Sequence, residues 1–263
     1  MKGFSVSLLR IPEGAQGLEI IRFLDAPTNA TAWPSHQGPP GPPKVVPTMT
    51  SRLSSLSFKG PGDSLRDKDM KYVHEAIERG CAAAIESRDL LNDLDGSIGD
   101  GDCGSTFARG GKSILESEAI RSALSLKEAL SLISEVAGEA MGGSSGVLLK
   151  IFFSAMASEL GADPARDDIA NAVKAGISKI SLYGGASKGD GTMLDSLIPL
   201  SEVLDAGGTW QDALTAAKAG CEATKTIAAT AGRASYVPEE AQMGVADPGA
   251  TAVVLILESV ISS

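Results

Sequence analysis

The sequence predicts an all-α fold: an antiparallel up-and-down barrel of eight helices, preceded by a short strand and a proline-rich linker. Three observations carry this expectation. Beyond residue 63, apolar residues recur at helical spacing in nearly every segment. β-branched alternation is almost absent there, and Ala, Leu, Glu and Lys, good helix formers, dominate. Short connections bearing Gly or Ser separate the segments, which suits antiparallel neighbours in a closed bundle or barrel.

The elements follow in chain order. FSVSLLRI, residues 4–11, reads as a strand and is followed by the apolar segment LEIIRFL. A lone strand of that length cannot satisfy its own edges and normally belongs to a sheet. It is therefore expected to be poorly ordered, to pair with another chain, or to be the remnant of a larger domain over residues 1–34. Prolines at 39, 40, 42, 43 and 47 fix φ and remove donors, so residues 35–63 read as a linker, polyproline-like in part. The helical domain spans 64–263. Its first helix starts at Ser64, shows Met70, Val73, Ala76, Ile77, Cys81, Ala84 and Ile85 at helical spacing, and ends near Asp95. Further helices are expected over about 106–120, 126–140, 145–160, 167–181, 192–206, 210–230 and 248–261. Pro248 suits the first position of the last one. No fixed-period repeat is visible.

Composition narrows the partners. A 263-residue chain with 43% hydrophobic and 21% charged residues reads as globular rather than disordered. Asp plus Glu number 33 against 23 Lys plus Arg, a net charge of −10 that argues against nucleic acid. Cys81, Cys103 and Cys221 are too few and scattered for a disulfide framework or a zinc cluster. The N-terminus does not read as a signal peptide, and the apolar run 251–257 is too short to cross a bilayer. No membrane association and a cytoplasmic location are the expectation.

The chemistry concentrates in LDGSIGDGDCGST, residues 94–106. Asp95, Asp100 and Asp102 fall within eight residues, broken by Gly96, Gly99, Gly101 and Gly104. Carboxylates repel one another unless a cation gathers them. The glycines allow the sharp turn that folds Asp100 and Asp102 back beside Asp95. A helix opening at Ser105 or Thr106 would then offer free N–H groups and its dipole beside the metal, an arrangement suited to a magnesium-bound polyphosphate. A turn that merely caps a helix is the plainer reading of one Asp-Gly pair; the density of both residues favours the metal. An EF-hand loop from Asp93 fails, because Ile98 and Gly104 stand at its sixth and twelfth positions. A P-loop ending at Gly111-Lys112-Ser113 fails because Thr106 replaces its first glycine.

Three further helix openings are rich in glycine: MGGSSG at 141–146, YGGASKGDGTMLD at 183–195, and GRASY at 232–236 together with DPG at 247–249. Close helix packing is the alternative for the first of these. Four such openings exceed what packing requires.

LDGSIGDGDCGST, MGGSSG, GDGTMLDSL, AGRASY and DPGA, in this order, resemble the nucleotide-binding (DhaL-type) domain of the single-chain, ATP-dependent dihydroxyacetone (glycerone) kinases. The resemblance covers residues 65–263. MKGFSVSLLRI with LDAPTNATAWP is similar to the end of the substrate-binding (DhaK-type) domain in the same family. It implies an eight-helix barrel that holds ATP or ADP at one end through Mg2+, with Mn2+ or another divalent ion as a substitute. Asp95, Asp100 and Asp102 would be the metal ligands. Cys103, Gly104, Ser105, Thr106, Ser144 and Ser145 would contact the phosphates. Gly184, Thr192 and Met193 would line the nucleotide pocket, with Arg233, Asp247, Pro248 and Gly249 closing its other side. No metal role is expected for Cys103.

In the family, a histidine of the substrate domain holds the sugar. His36 lies in the linker and His74 on the first helix, neither in a matching context, so no catalytic residue is assigned. The resemblance thus implies kinase action on dihydroxyacetone or glyceraldehyde through a DhaK-like domain or chain, with a homodimer as a possible assembly. A non-catalytic nucleotide-binding regulator, a kinase for another substrate, and a lyase of the FMN-cyclase type known in an animal relative are the alternatives.

Overall fold

The protein is described from a computed structural model covering residues 67–161 and 164–261. The strand expected at 4–11, the linker at 35–63 and the boundary at 64 lie outside the described residues.

All described regular structure is helical. α1 (Asp67–Glu86) and α2 (Arg88–Ile98) replace the single first helix expected. They meet at Ser87, whose ψ of 2° bends the chain while helical bonds from Ser87 N–H to Ala83 O and Leu91 N–H to Ser87 O run across it. α3 (Cys103–Glu116) opens earlier than expected, because its cap comes from side chains of α2 rather than from Ser105 or Thr106. Ser117 then starts the short α4 (Glu118–Arg121). α5 (Leu126–Ala140) begins with a reciprocal cap: Glu128 N–H donates to Ser125 Oγ, and Leu124 N–H to Glu128 Oε2.

α6 (Gly143–Glu159), α7 (Arg166–Gly184) and α8 (Leu194–Asp205) follow. α7 stops at Gly185, whose φ of 74° is left-handed. α9 (Trp210–Ala223) is shorter than the expected 210–230. Beyond it, Thr224 and Thr226 hydroxyls donate to Cys221 O and Ala223 O, which favours the tighter 3-10 turn at Thr224–Thr226 over further α-helix. The chain continues through a 3-10 turn at Ala234–Tyr236, α10 (Glu239–Gln242) and α11 (Pro248–Ile261).

Helix packing closes a ring: α1 on α3, α3 on α5, then α6, α7, α8, α9 and α11 in succession, with α11 back on α1. α11 also meets α2, α3 and α8, which explains why its sequence is apolar until Glu258. One core cluster gathers Phe152, Met156, Val173, Ile177, Leu197 and Leu200. A second, with Leu91, Phe107, Met141 and Ala252, fixes α2, α3 and α11 beside the loop before α6. Among the described residues, no helix is long and apolar enough to cross a membrane.

Candidate metal and nucleotide site

The site begins with two residues on one face of α2. Asn92 and Asp95 are three apart, so both address the start of α3. Asp95 is 7% exposed, and its Oδ2 accepts the N–H groups of Asp102 and Cys103 at 2.8 and 2.9 Å. Asn92 Oδ1 accepts the Ser105 N–H at 2.9 Å, and Asn92 Nδ2 donates to Ser105 Oγ at 2.9 Å. Helix α3 is thus capped from a neighbouring helix. Such close approach requires Gly104, where a Cβ would stand 1.9 Å from Arg88 O.

Between the helices, Gly101 takes φ +76° and turns the chain back. Ligand atoms of Asp95, Asp100 and Asp102 consequently lie within 4.8 Å of one another. This is an all-oxygen, three-carboxylate set of the kind hard divalent cations take. Asp100 Oδ2 pairs with Arg233 Nη1 at 3.0 Å, which offsets part of the repulsion. Arg233 is 67% exposed, and an exposed pair of this kind contributes no more than about 1 kcal/mol.

The other glycine-rich openings are tied to this cluster. Arg109 on α3 donates to Ala140 O and Met141 O at 2.7 and 2.5 Å, and to Thr106 Oγ1 at 3.3 Å, so the start of α6 is fixed beside that of α3. Ser144 is exposed and Ser145 half-buried; among the described residues, neither hydroxyl has a protein partner. Gly184 sits against α6, where a Cβ would approach Leu148 Cδ2 at 3.2 Å. Asp195, 4% exposed, receives the N–H groups of Gly189 and Thr192 at 2.5 and 2.8 Å and thereby shapes the loop before α8. Met193 Cβ stands 3.5 Å from the position a Gly249 Cβ would take, which brings the starts of α8 and α11 together.

Asp247 caps α11 by accepting the Ala250 N–H at 2.6 Å. Burial pushes its carboxyl up to about 7, with Asp195 and Asp95 adding to the rise. The Cys103 thiol is pushed up to about 12, by burial first and then by Asp95, Asp247, Asp102 and Asp100. With no cation beside it, the thiol therefore stays protonated at neutral pH. These shared fields place Asp95, Cys103 and Asp247 in one acidic neighbourhood.

Three positioning groups lie outside the motifs, Asn92, Arg109 and Gln242, and a fourth, Asp195, lies inside GDGTMLDSL without an expected role. Buried Gln242 donates to Ala234 O and Val237 O at 2.9 and 2.6 Å and accepts the Ala229 N–H at 2.6 Å, holding the loop that bears Arg233. For Asn92, a helical spacing of three from Asp95 was the available clue.

The DAK2 domain family matches residues 97–262. The chain is 37% identical over 270 residues to a putative 3,4-dihydroxy-2-butanone kinase of Solanum lycopersicum, covering 96% of this chain and 44% of that protein. It is 35% identical to the triokinase/FMN cyclase of Homo sapiens, covering 99% and 46%. With the dihydroxyacetone kinase of Citrobacter freundii it shares 34% identity over 100% of this chain and 45% of the relative. The crystal structure of that kinase in its native form superposes with a TM-score of 0.63 at 29% identity, covering 93% of this chain and 42% of the solved one. A second crystal structure, of the same kinase in complex with AMP-PNP and Mg2+, gives 0.61 at 28% identity, covering 92% and 41%. The chain therefore spans less than half the length of these relatives.

Proposed function

The chain belongs to the DAK2 domain family, and on that premise we propose that it is the magnesium-dependent, ATP-binding phosphotransfer part of a dihydroxyacetone (glycerone) or glyceraldehyde kinase. The observation that carries this reading is the gathering of Asp95, Asp100 and Asp102 within 4.8 Å at the start of α3. The complex of a structural relative with AMP-PNP and Mg2+ supports it.

In this reading the three aspartates hold the cation, which neutralises charge on the ATP phosphates. Asp95 serves through Oδ1, since Oδ2 receives two N–H groups. Gly99 keeps that oxygen accessible, because a Cβ there would lie 2.3 Å from it. Cys103 and Ser105 have their N–H groups taken up by α2, so Gly104 N–H and the Ser105 and Thr106 hydroxyls are what α3 offers a phosphate. Ser144 and Ser145 add two hydroxyls at the positive end of α6. Gly184, Thr192 and Met193 line the nucleotide pocket, and Arg233, Asp247, Pro248 and Gly249 close it. The chain's own part in catalysis is positioning and charge neutralisation.

The phosphoryl acceptor would be held by a DhaK-like domain or chain, of which residues 1–34 are the end. Alignments that take in 96 to 100% of this chain support that assignment. A cytoplasmic location and a homodimer complete the proposal. The test is to add a purified dihydroxyacetone kinase substrate domain and follow phosphorylation of dihydroxyacetone. Restored, magnesium-dependent activity supports the kinase reading. Nucleotide binding without restored activity would instead favour a non-catalytic regulator. The name of the human relative favours one second reading, cyclisation of a nucleotide diphosphate ester, to be sought with Mn2+ in place of Mg2+.

A further inference from the structure

We propose that Asn92 is a positioning residue that turns the Ser105 hydroxyl into a hydrogen-bond donor toward a nucleotide phosphate. The inference rests on the nucleotide-binding reading above and concerns a residue outside the glycine-rich motifs. The Ser105 N–H can only donate, and it meets Asn92 Oδ1 at 2.9 Å. That contact fixes the amide orientation, so the second contact, also at 2.9 Å, is Asn92 Nδ2–H donating to Ser105 Oγ. Ser105 Oγ is therefore an acceptor within the protein, and its own proton remains for an outside acceptor.

The neighbouring donors sharpen the assignment. Asp102 and Cys103 N–H groups go to Asp95 Oδ2, and Thr106 N–H goes to Asp102 O. In the first turn of α3, these bonds leave the Gly104 N–H, the half-buried Ser105 hydroxyl and the Thr106 hydroxyl, which accepts from Arg109 Nη2 at 3.3 Å. Both sit beside the three gathered carboxylates, where a bound phosphate oxygen is the acceptor that the reading supplies. The Asn92 amide thus does two things at once: it caps α3 and fixes the sense of one ligand hydrogen bond.

Asn92→Asp separates the two. The carboxylate still accepts the Ser105 N–H, but it cannot donate to Oγ, so the hydroxyl turns to donate to the carboxylate. The cap survives and the ligand bond is lost. A double-mutant cycle of Asn92→Asp with Ser105→Ala, read as the dissociation constant of magnesium–AMP-PNP, measures this. Each single variant is expected to weaken binding about tenfold, as for a hydrogen bond to a charged group, and the double variant to weaken it about tenfold as well. Thermal stability of Asn92→Asp, measured with Mg2+ present to offset the added carboxylate, should stay near that of the wild type, which a purely structural role would not give. Should Asn92→Asp fail to fold, Asn92→Ala in the same cycle removes the cap and frees the Ser105 hydroxyl to rotate, so a weakening partly shared with Ser105→Ala is expected, and a full product of independent effects again overturns the inference. A double variant weakened about a hundredfold, the product of independent effects, overturns the inference while leaving the nucleotide site intact. Wild-type protein that binds no magnesium–AMP-PNP would overturn the underlying reading and this inference with it.

Discussion

Asp95 uses one oxygen for folding and leaves the other unengaged among the described residues: Oδ2 accepts two N–H groups of the α3 cap, and Oδ1 lies against Gly99. Asp100 has the simpler position, paired among the described residues with an exposed arginine. Asp100→Asn is therefore expected to weaken magnesium–ATP binding several-fold or more with no change in helical content, checked by calorimetry and circular dichroism. Asp247 predicts a pH effect of defined sign. Its carboxyl lies near 7 in the folded protein against an ordinary 3.8, so the folded state holds the proton more tightly than the unfolded one. Stability from this group is fully present below about 4 and is lost as pH rises through about 7. Without divalent ions, denaturant unfolding should show lower stability at pH 8 than at pH 5. Asp247→Asn, which still caps α11, should remove most of that difference. The gathering of three aspartates was legible in the sequence, because they lie within eight residues and the glycines between them permit the sharp turn that folds the chain back. The part played by Asn92 was not: it depends on how closely α3 approaches α2, which spacing alone does not set.

At the scale of elements, the site is a set of helix openings whose backbone groups are arranged by side chains from elsewhere. Gly104 is the clearest dependence, since a Cβ there would stand 1.9 Å from Arg88 O. Gly104→Ala should force α3 off α2, costing about 1–3 kcal/mol or more in chemical unfolding and weakening magnesium–ATP binding together with stability. Gln242 dominates the loop that bears Arg233 through three bonds. Gln242→Leu leaves buried backbone groups unpaired and is expected to cost about 2 kcal/mol or more. Its signature would be faster proteolysis and amide exchange confined to residues 227–247. The existence of the longer helices was readable from periodicity, whereas the break at Ser87, the 3-10 turn at Ala234–Tyr236 and the short α10 were not. Helix ends were not, where side chains compete for backbone groups: Thr224 and Thr226 end α9 well before residue 230, and α2 side chains start α3 three residues before Thr106.

Across the whole described domain, the ring of helices explains how motifs spread over more than 150 residues come to neighbour one another. Arg109 ties α3 to the start of α6, Met193 abuts Gly249 across α8 and α11, and Arg233 reaches Asp100. The all-α class followed from composition and period, whereas ring closure needed the apolar α11 to find five partners, a tertiary fact absent from any local pattern. The most direct test of the account is calorimetric titration of the chain with ATP, with and without Mg2+. The account predicts saturable binding that depends on Mg2+ and falls sharply in Asp100→Asn. A folded, helical protein that binds ATP equally well without Mg2+, or not at all, would contradict it.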